Sequence, residues 1–146
     1  MPDRSFLGRV LQAVKKGSSM TDNKIEQYLI ELKYSYQEIK QDLWLLDDAE
    51  HSLTGIAVMY ADPLVIFRVQ VMDAPKENRQ EFFTKLLELN ASEMTHGAYG
   101  LEGDKVVIVN SLVYETIDFV EFQATLDAIS MALTQHYPIL SVYREN

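Results

Sequence analysis

The sequence predicts an α+β domain: an antiparallel five-strand sheet, with helices in the order α-β-β-β-α-β-β-α and one further helix in front. Three observations carry this. Lys105 to Tyr114 is a ten-residue run of strand formers, reached from Gly97–Leu101 across a tight Glu102-Gly103-Asp104 turn. Asp118 to Pro138 repeats apolar residues at helical spacing behind an acidic capping box. The strands are joined mostly by short connections, which favours antiparallel neighbours.

The elements run in order along the chain. Phe6, Leu7, Val10, Leu11 and Val14 lie at helical spacing with basic residues between them, and Lys15-Lys16-Gly17-Ser18-Ser19 makes a stop and a joint. This predicts a basic amphipathic helix and linker over residues 1–19, and a single α+β domain over residues 20–146. Met20-Thr21-Asp22-Asn23 also reads as a natural start, so residues 1–19 are either an appendage or the product of a start set upstream. Thr21 or Asp22 can cap a helix carrying Ile25, Tyr28, Leu29 and Leu32, which should end near Tyr34. Glu38 to Leu46 reads as the first strand. Gly55–Tyr60 and Leu64–Met72 are the next two, broken by Asp62-Pro63. Pro75 suits a helix start, and Phe82, Phe83, Leu86, Leu87 and Leu89 give that helix its stripe. In the last helix Asp118 caps, Ile117 staples onto Phe122, and Phe119, Phe122, Leu126, Ile129 and Leu133 face the core until Pro138 ends it.

Composition narrows the functions. At 146 residues and 47 % hydrophobic, the chain has material for one domain with a real core. It has no cysteine, which excludes disulfide and thiolate chemistry and suits a reducing cytoplasm. The net charge of −9 divides unevenly: residues 1–16 carry four basic groups and one acid, and the rest carries nine basic and 21 acidic groups. Such a body repels a phosphate backbone, so nucleic acid is a poor partner. The basic front helix has the form of a membrane-surface helix, but packing on its own domain or a neighbouring subunit is the favoured reading.

Strand patterning gives the functional clue. Val65, Phe67, Val69 and Val71 point to one face of their strand; Leu64, Ile66 and Met72 point to the other, with Arg68 and Gln70 between them. Val107, Val109, Ser111 and Val113 likewise oppose Val106, Ile108, Asn110, Leu112 and Tyr114. A sheet with one wet face alternates more cleanly than this. The helices after residues 20 and 117 can cover one face. The other needs the middle helix, the front helix, a second subunit or a ligand. Leu64, Ile66, Arg68, Gln70 and Met72 are therefore the candidate partner-binding residues, with Arg68 and Gln70 either orienting a bound segment or marking the solvent edge. Ala124, Ala128 and Ala132 line one side of the last helix and permit close packing, chiefly on the sheet.

Trp44-Leu45-Leu46, Leu86-Leu87-Glu88-Leu89-Asn90, Gly97-Ala98-Tyr99-Gly100-Leu101 and the helix from Asp118 to Pro138 together resemble the type III secretion chaperone fold, typified by the Tir chaperone. Within it the chain is most similar to YbjN-type proteins, also labelled bacterial sensory transduction regulators. The likeness covers about residues 21–140. It implies a non-catalytic binding protein, since secretion chaperones of this fold form homodimers and hold an extended client segment on hydrophobic patches without ATP. It implies no catalytic residues and cannot supply the client.

No catalytic or metal constellation is legible. His51, His96 and His136 are scattered, and Asp47, Asp48 and Glu50 lack the calcium-loop pattern. Gly97, Gly100 and Gly103 do not open a helix after a strand, so hairpin geometry explains them better than a phosphate loop. Asn90-Ala91-Ser92 matches a glycosylation acceptor only by pattern. The expectation is thus a cytoplasmic, cofactor-free, homodimeric module that binds a protein or peptide client. The alternatives are a regulatory or sensory adaptor binding a peptide or small ligand, and an enzyme whose groups converge only in space.

Overall fold

The computed structural model describes residues 23–51 and 54–144. Helix α1 (Lys24–Glu31) leads into a β1–β2 hairpin (Tyr36–Lys40 and Leu43–Leu46), a 3-10 turn at Ala49–His51, then β3 (Ile56–Ala61) and β4 (Leu64–Asp73). After α2 (Arg79–Ser92) come β5 (Ala98–Glu102) and β6 (Lys105–Val113), then α3 (Phe119–Gln135), α4 (Tyr137–Leu140) and a 3-10 turn at Ser141–Tyr143. The sheet order is β1-β2-β3-β4-β6-β5, and every neighbouring pair is antiparallel.

The sheet has six strands, not five. The stretch Glu38–Leu46, expected as one strand, folds back on itself at Gln41-Asp42. Asp42 takes φ 66, the left-handed region that Asp and Asn enter more readily than other non-glycine residues. A second expectation also shifts: α2 begins at Arg79 rather than at Pro75. Asn78 sits at φ 59, which no helix interior accepts, so the helix can only start after it. The Pro75 carbonyl instead accepts a 2.8 Å hydrogen bond from Arg79 Nη1. The cap of α1 is Asn23, whose Oδ1 accepts from Ile25 N at 2.8 Å; Thr21 and Asp22 lie outside the described residues, as does the helix expected within residues 1–19.

The last helix obeys its sequence signals. Asp118 Oδ1 accepts from Glu121 N at 2.8 Å, and Phe122, Leu126 and Ile129 are fully buried. Rings tie the elements together: Phe122 lies 5.4 Å from Phe67 of β4 and 5.3 Å from Tyr28 of α1, and Phe82 of α2 lies 5.1 Å from Tyr143. Ala132 is buried and Ala124 and Ala128 half-buried, so the small-residue row of α3 lies partly against the core. The helix stops at Gln135, and Pro138 falls in the first turn of α4.

The β5–β6 hairpin turns at Gly103 (φ 61). Gly97, at φ 96, brings its backbone so close to β6 that a Cβ would stand 3.0 Å from the Val109 carbonyl oxygen. Edge strand β5 is capped sideways by Asn90 of α2. Its Oδ1 accepts from Tyr99 N at 2.7 Å and its Nδ2 donates to Tyr99 O at 3.2 Å, so this amide takes the place of a neighbouring strand.

Candidate functional site

The two faces of the sheet are occupied differently. One carries Trp44, Leu46, Ile56, Val58, Val65, Phe67, Val69, Val106 and Ile108, and all of these share a core with residues of α1, α2, α3 and α4. The middle helix α2 belongs here too, through Phe82, Leu86 and Leu89, so it does not cover the other face. That second face holds a separate apolar cluster. Leu43, Ala57, Met59 and Val107 are buried at its centre, and Ile39, Leu45, Ala61, Ile66 and Val109 pack around them half-buried. No residue of a described helix belongs to it.

Register explains the cluster. Leu43 pairs with Met59 and Met59 with Ile66; Leu45 pairs with Ala57, Ala57 with Arg68 and Arg68 with Val109. Directly paired residues point to the same side of a sheet, so two cross-strand rows become one continuous patch. Arg68 stands in the second row. Its Nη1 lies 2.6 Å from Glu102 Oε2, with about a quarter of each side chain exposed. Arg68 Nε is buried and has no hydrogen-bond partner among the described residues. Gln70, opposite Val107, is exposed.

Of the five residues that the sequence pattern points to, Ile66, Arg68 and Gln70 come together on this face. Leu64 sits at its end, half-buried and paired with Val113. Met72 does not join them: it is 6 % exposed and packs in the helix-covered core. The register of β4 against β6 slips between Gln70 and Met72, and the extra residue rotates the remainder of the strand to the opposite side. Ile39, Leu43, Leu45, Ala57 and Met59 complete the patch without being among those five. The alternation of Ala57 with Met59 is visible in the sequence, but their alignment with Ile66 depends on the register set by the Asp62-Pro63 turn.

A second feature lies on the helix side. Tyr99 Oη and His136 Nδ1 are 2.7 Å apart and both residues are buried. Burial pushes the Tyr99 hydroxyl well above the usual phenol range and lowers His136, with Glu93 acting in the opposite direction on the histidine. With the imidazole neutral, the phenol O–H donates to Nδ1 in the tautomer that carries its proton on Nε2. A cavity of about 100 Å³ adjoins the pair, lined by Thr54, Gln70, Met72 and Arg144 among others. Among the described residues, no three His, Asp or Glu side chains gather as a metal site would require. None of the described helices is long and apolar enough to cross a membrane.

A family model described as CesT_Tir_1 matches residues 18–146. No curated protein sequence matches the chain. Among solved structures, YbjN from E. coli is similar at a TM-score of 0.58 and 17 % identity, over 85 % of this chain and 96 % of that one. A chain of the heterodimeric ExoU–SpcU complex, from the type III secretion system of Pseudomonas aeruginosa, is similar at a TM-score of 0.65 and 14 % identity, over 81 % and 98 %. A chain of the ExsC–ExsE complex is similar at a TM-score of 0.52 and 12 % identity, over 83 % and 97 %. At these identities the likeness shows the fold.

Proposed function

The chain belongs to the CesT_Tir_1 family, and we propose that it is a non-catalytic, cytoplasmic protein-binding module that holds a polypeptide segment on the second face of its sheet. The observation that carries this is the apolar cluster from Leu43 to Val109 to which no described helix contributes. An apolar surface of this kind binds a segment by removing area from water, at roughly 25 cal/mol per Å² before ordering costs are subtracted. Ile66 and Val109 supply contact, and the Arg68–Glu102 pair supplies an oriented polar mark within it. The similarity to chains solved within two-protein complexes supports the same direction.

The sensory alternative draws on the Tyr99–His136 cavity. At about 100 Å³ that cavity is well below the ~300–1,000 Å³ of ordinary ligand sites, and the groove of about 640 Å³ along α2 is lined by polar and charged residues such as Arg79, Glu81, Lys85 and Glu88 rather than by the apolar walls such sites have, which favours the polypeptide reading. A homodimer is part of the proposal. Val120 and Met131 on α3 and Ile30 on α1 are more than half exposed and offer a second copy apolar surface. Sedimentation showing only monomer at high concentration would count against it.

The test of the main reading is photo-crosslinking in the native host, with benzoylphenylalanine at position 66 or, as a control, at the exposed position 87 on α2. Adducts with another polypeptide are expected from position 66 and not from position 87, and they should disappear when Val109→Asp is added. Equal adducts from both positions, or none from position 66, would overturn the proposal.

A further inference from the structure

Leu43 is 0 %, Ala57 1 %, Val107 2 % and Met59 4 % exposed within a single copy of the chain. All four lie on the face whose cluster contains strand residues and nothing from a described helix. A leucine or methionine standing on an open sheet face is not buried by its strand neighbours alone, because side chains there rise perpendicular to the sheet. The face therefore calls for a cover, and no described helix contributes one.

Residues 5–16 fit that role in pattern, reach and charge. Phe6, Leu7, Val10, Leu11 and Val14 supply an apolar stripe at helical spacing. As a helix, these residues would be about 18 Å long, against roughly 14 Å across the four strands β2, β3, β4 and β6. The described chain starts at Asn23, whose Nδ2 donates to Asp42 Oδ1 at 3.4 Å in the β1–β2 turn, and the next residue after Asp42 is Leu43, the first of β2. The six residues 17–22 can extend about 20 Å, enough to round the end of the sheet. Residues 1–16 carry an excess of three positive charges and the rest of the chain an excess of twelve negative charges, so attraction favours docking.

We propose that residues 5–16 dock on the second sheet face as a built-in occupant, which a client segment must displace. The displacement rests on the proposed function, but the docking does not. Tethering gives the segment a high effective concentration, so only a client with more apolar contact than the segment's own stripe competes.

The absence of native cysteine permits a direct test in the full chain. Val10→Cys is combined with Ile66→Cys or, as a control, with Leu87→Cys, and each protein is treated with a short bis-maleimide at low micromolar concentration. Intramolecular crosslinking is expected in the 10/66 monomer at about tenfold the yield of 10/87. Equal yields, or crosslinks only between chains, would overturn the docking. In a second measurement, Leu7→Ser combined with Val10→Ser and Leu11→Ser in the full chain should raise the fluorescence of added anilinonaphthalene sulfonate several-fold. An unchanged signal would count against the proposal. Loss of the 10/66 crosslink with client adducts at position 66 intact would refute the docking alone; the reverse would refute the client reading alone.

Discussion

The two faces of this sheet are built from the same strands and both carry an apolar cluster, yet they are closed by different means. On one, Val65, Phe67 and Val69 meet Phe122, Leu126 and Ile129 of α3, and the contact comes from within the described domain. On the other, Ile66, Ala57 and Val109 form a patch without a residue from any described helix. The first face is where burial is converted into stability, because its cover is held by a capped helix and a network of rings. The second has the chemistry of a core and, on the present proposal, the exchangeable cover of an interface. Near-identical alternation along a strand can therefore serve folding on one side and recognition on the other.

The largest expected effect separates the faces directly. Leu126→Ala empties a fully buried site and should cost about 2–5 kcal/mol. Ile66→Ala, at a half-buried position, should cost about half of that or less. Denaturant midpoints measured side by side give both numbers. Equal losses would mean that the second face is as firmly closed as the first and would break the comparison.

Asp118→Ala tests the anchor of the covering helix. Removing an N-cap that accepts a 2.8 Å bond should cost about 1 kcal/mol, read as a lower unfolding midpoint with an unchanged m-value. An unaltered midpoint would show that packing alone holds α3 on its face.

How much of this contrast is legible in the chain depends on whether the signal is local. The helix-covered face is legible because Asp118 and Glu121 mark a helix start, and the alternation of Val106 and Ile108 with Val107 and Val109 separates two sides. The excess of apolar strand positions is legible for the same reason. The β1–β2 turn is not, because Gln41-Asp42 contains neither glycine nor proline and Asp42 takes a left-handed backbone without advertising it. Strict alternation puts Met72 on the wrong side, because one slipped residue after Gln70 reverses everything beyond it, and nothing in Val71 announces a bulge. That α2 joins the already covered face is a matter of tertiary packing, to which its own periodicity is indifferent.

A smaller effect concerns the edge of the covered face. Burial lowers the pKa of His136 below its ordinary 6.5, only partly opposed by Glu93; Tyr99 Oη lies against Nδ1, and Arg144 lines the adjoining cavity. A folded pKa below the unfolded one favours the neutral ring, so its contribution is complete above about pH 6.5 and is lost as pH falls through the lowered value. The unfolding midpoint should therefore drop more between about pH 7 and pH 5 in the native chain than in His136→Gln. Parallel profiles would remove His136 from the account.

The least effect is expected where the two faces meet, at Asp42. Its carboxyl is buried at the β1–β2 turn, and Oδ2 has no hydrogen-bond partner among the described residues. Desolvation raises its pKa, with Glu38 adding repulsion and Asn23 acting the other way. For an acid whose folded pKa is raised, the charged form destabilises the fold above that value, and the penalty fades as pH falls toward the unfolded 3.8. Asp42→Asn keeps the size and the tolerance for φ 66 while removing the charge. Its Tm at neutral pH should rise slightly, and the gain should vanish below about pH 3.8. A lower Tm at neutral pH would instead show that the turn needs the carboxylate itself. The join between the α1 cap and the strand bearing Leu43 would then rest on charge rather than on shape.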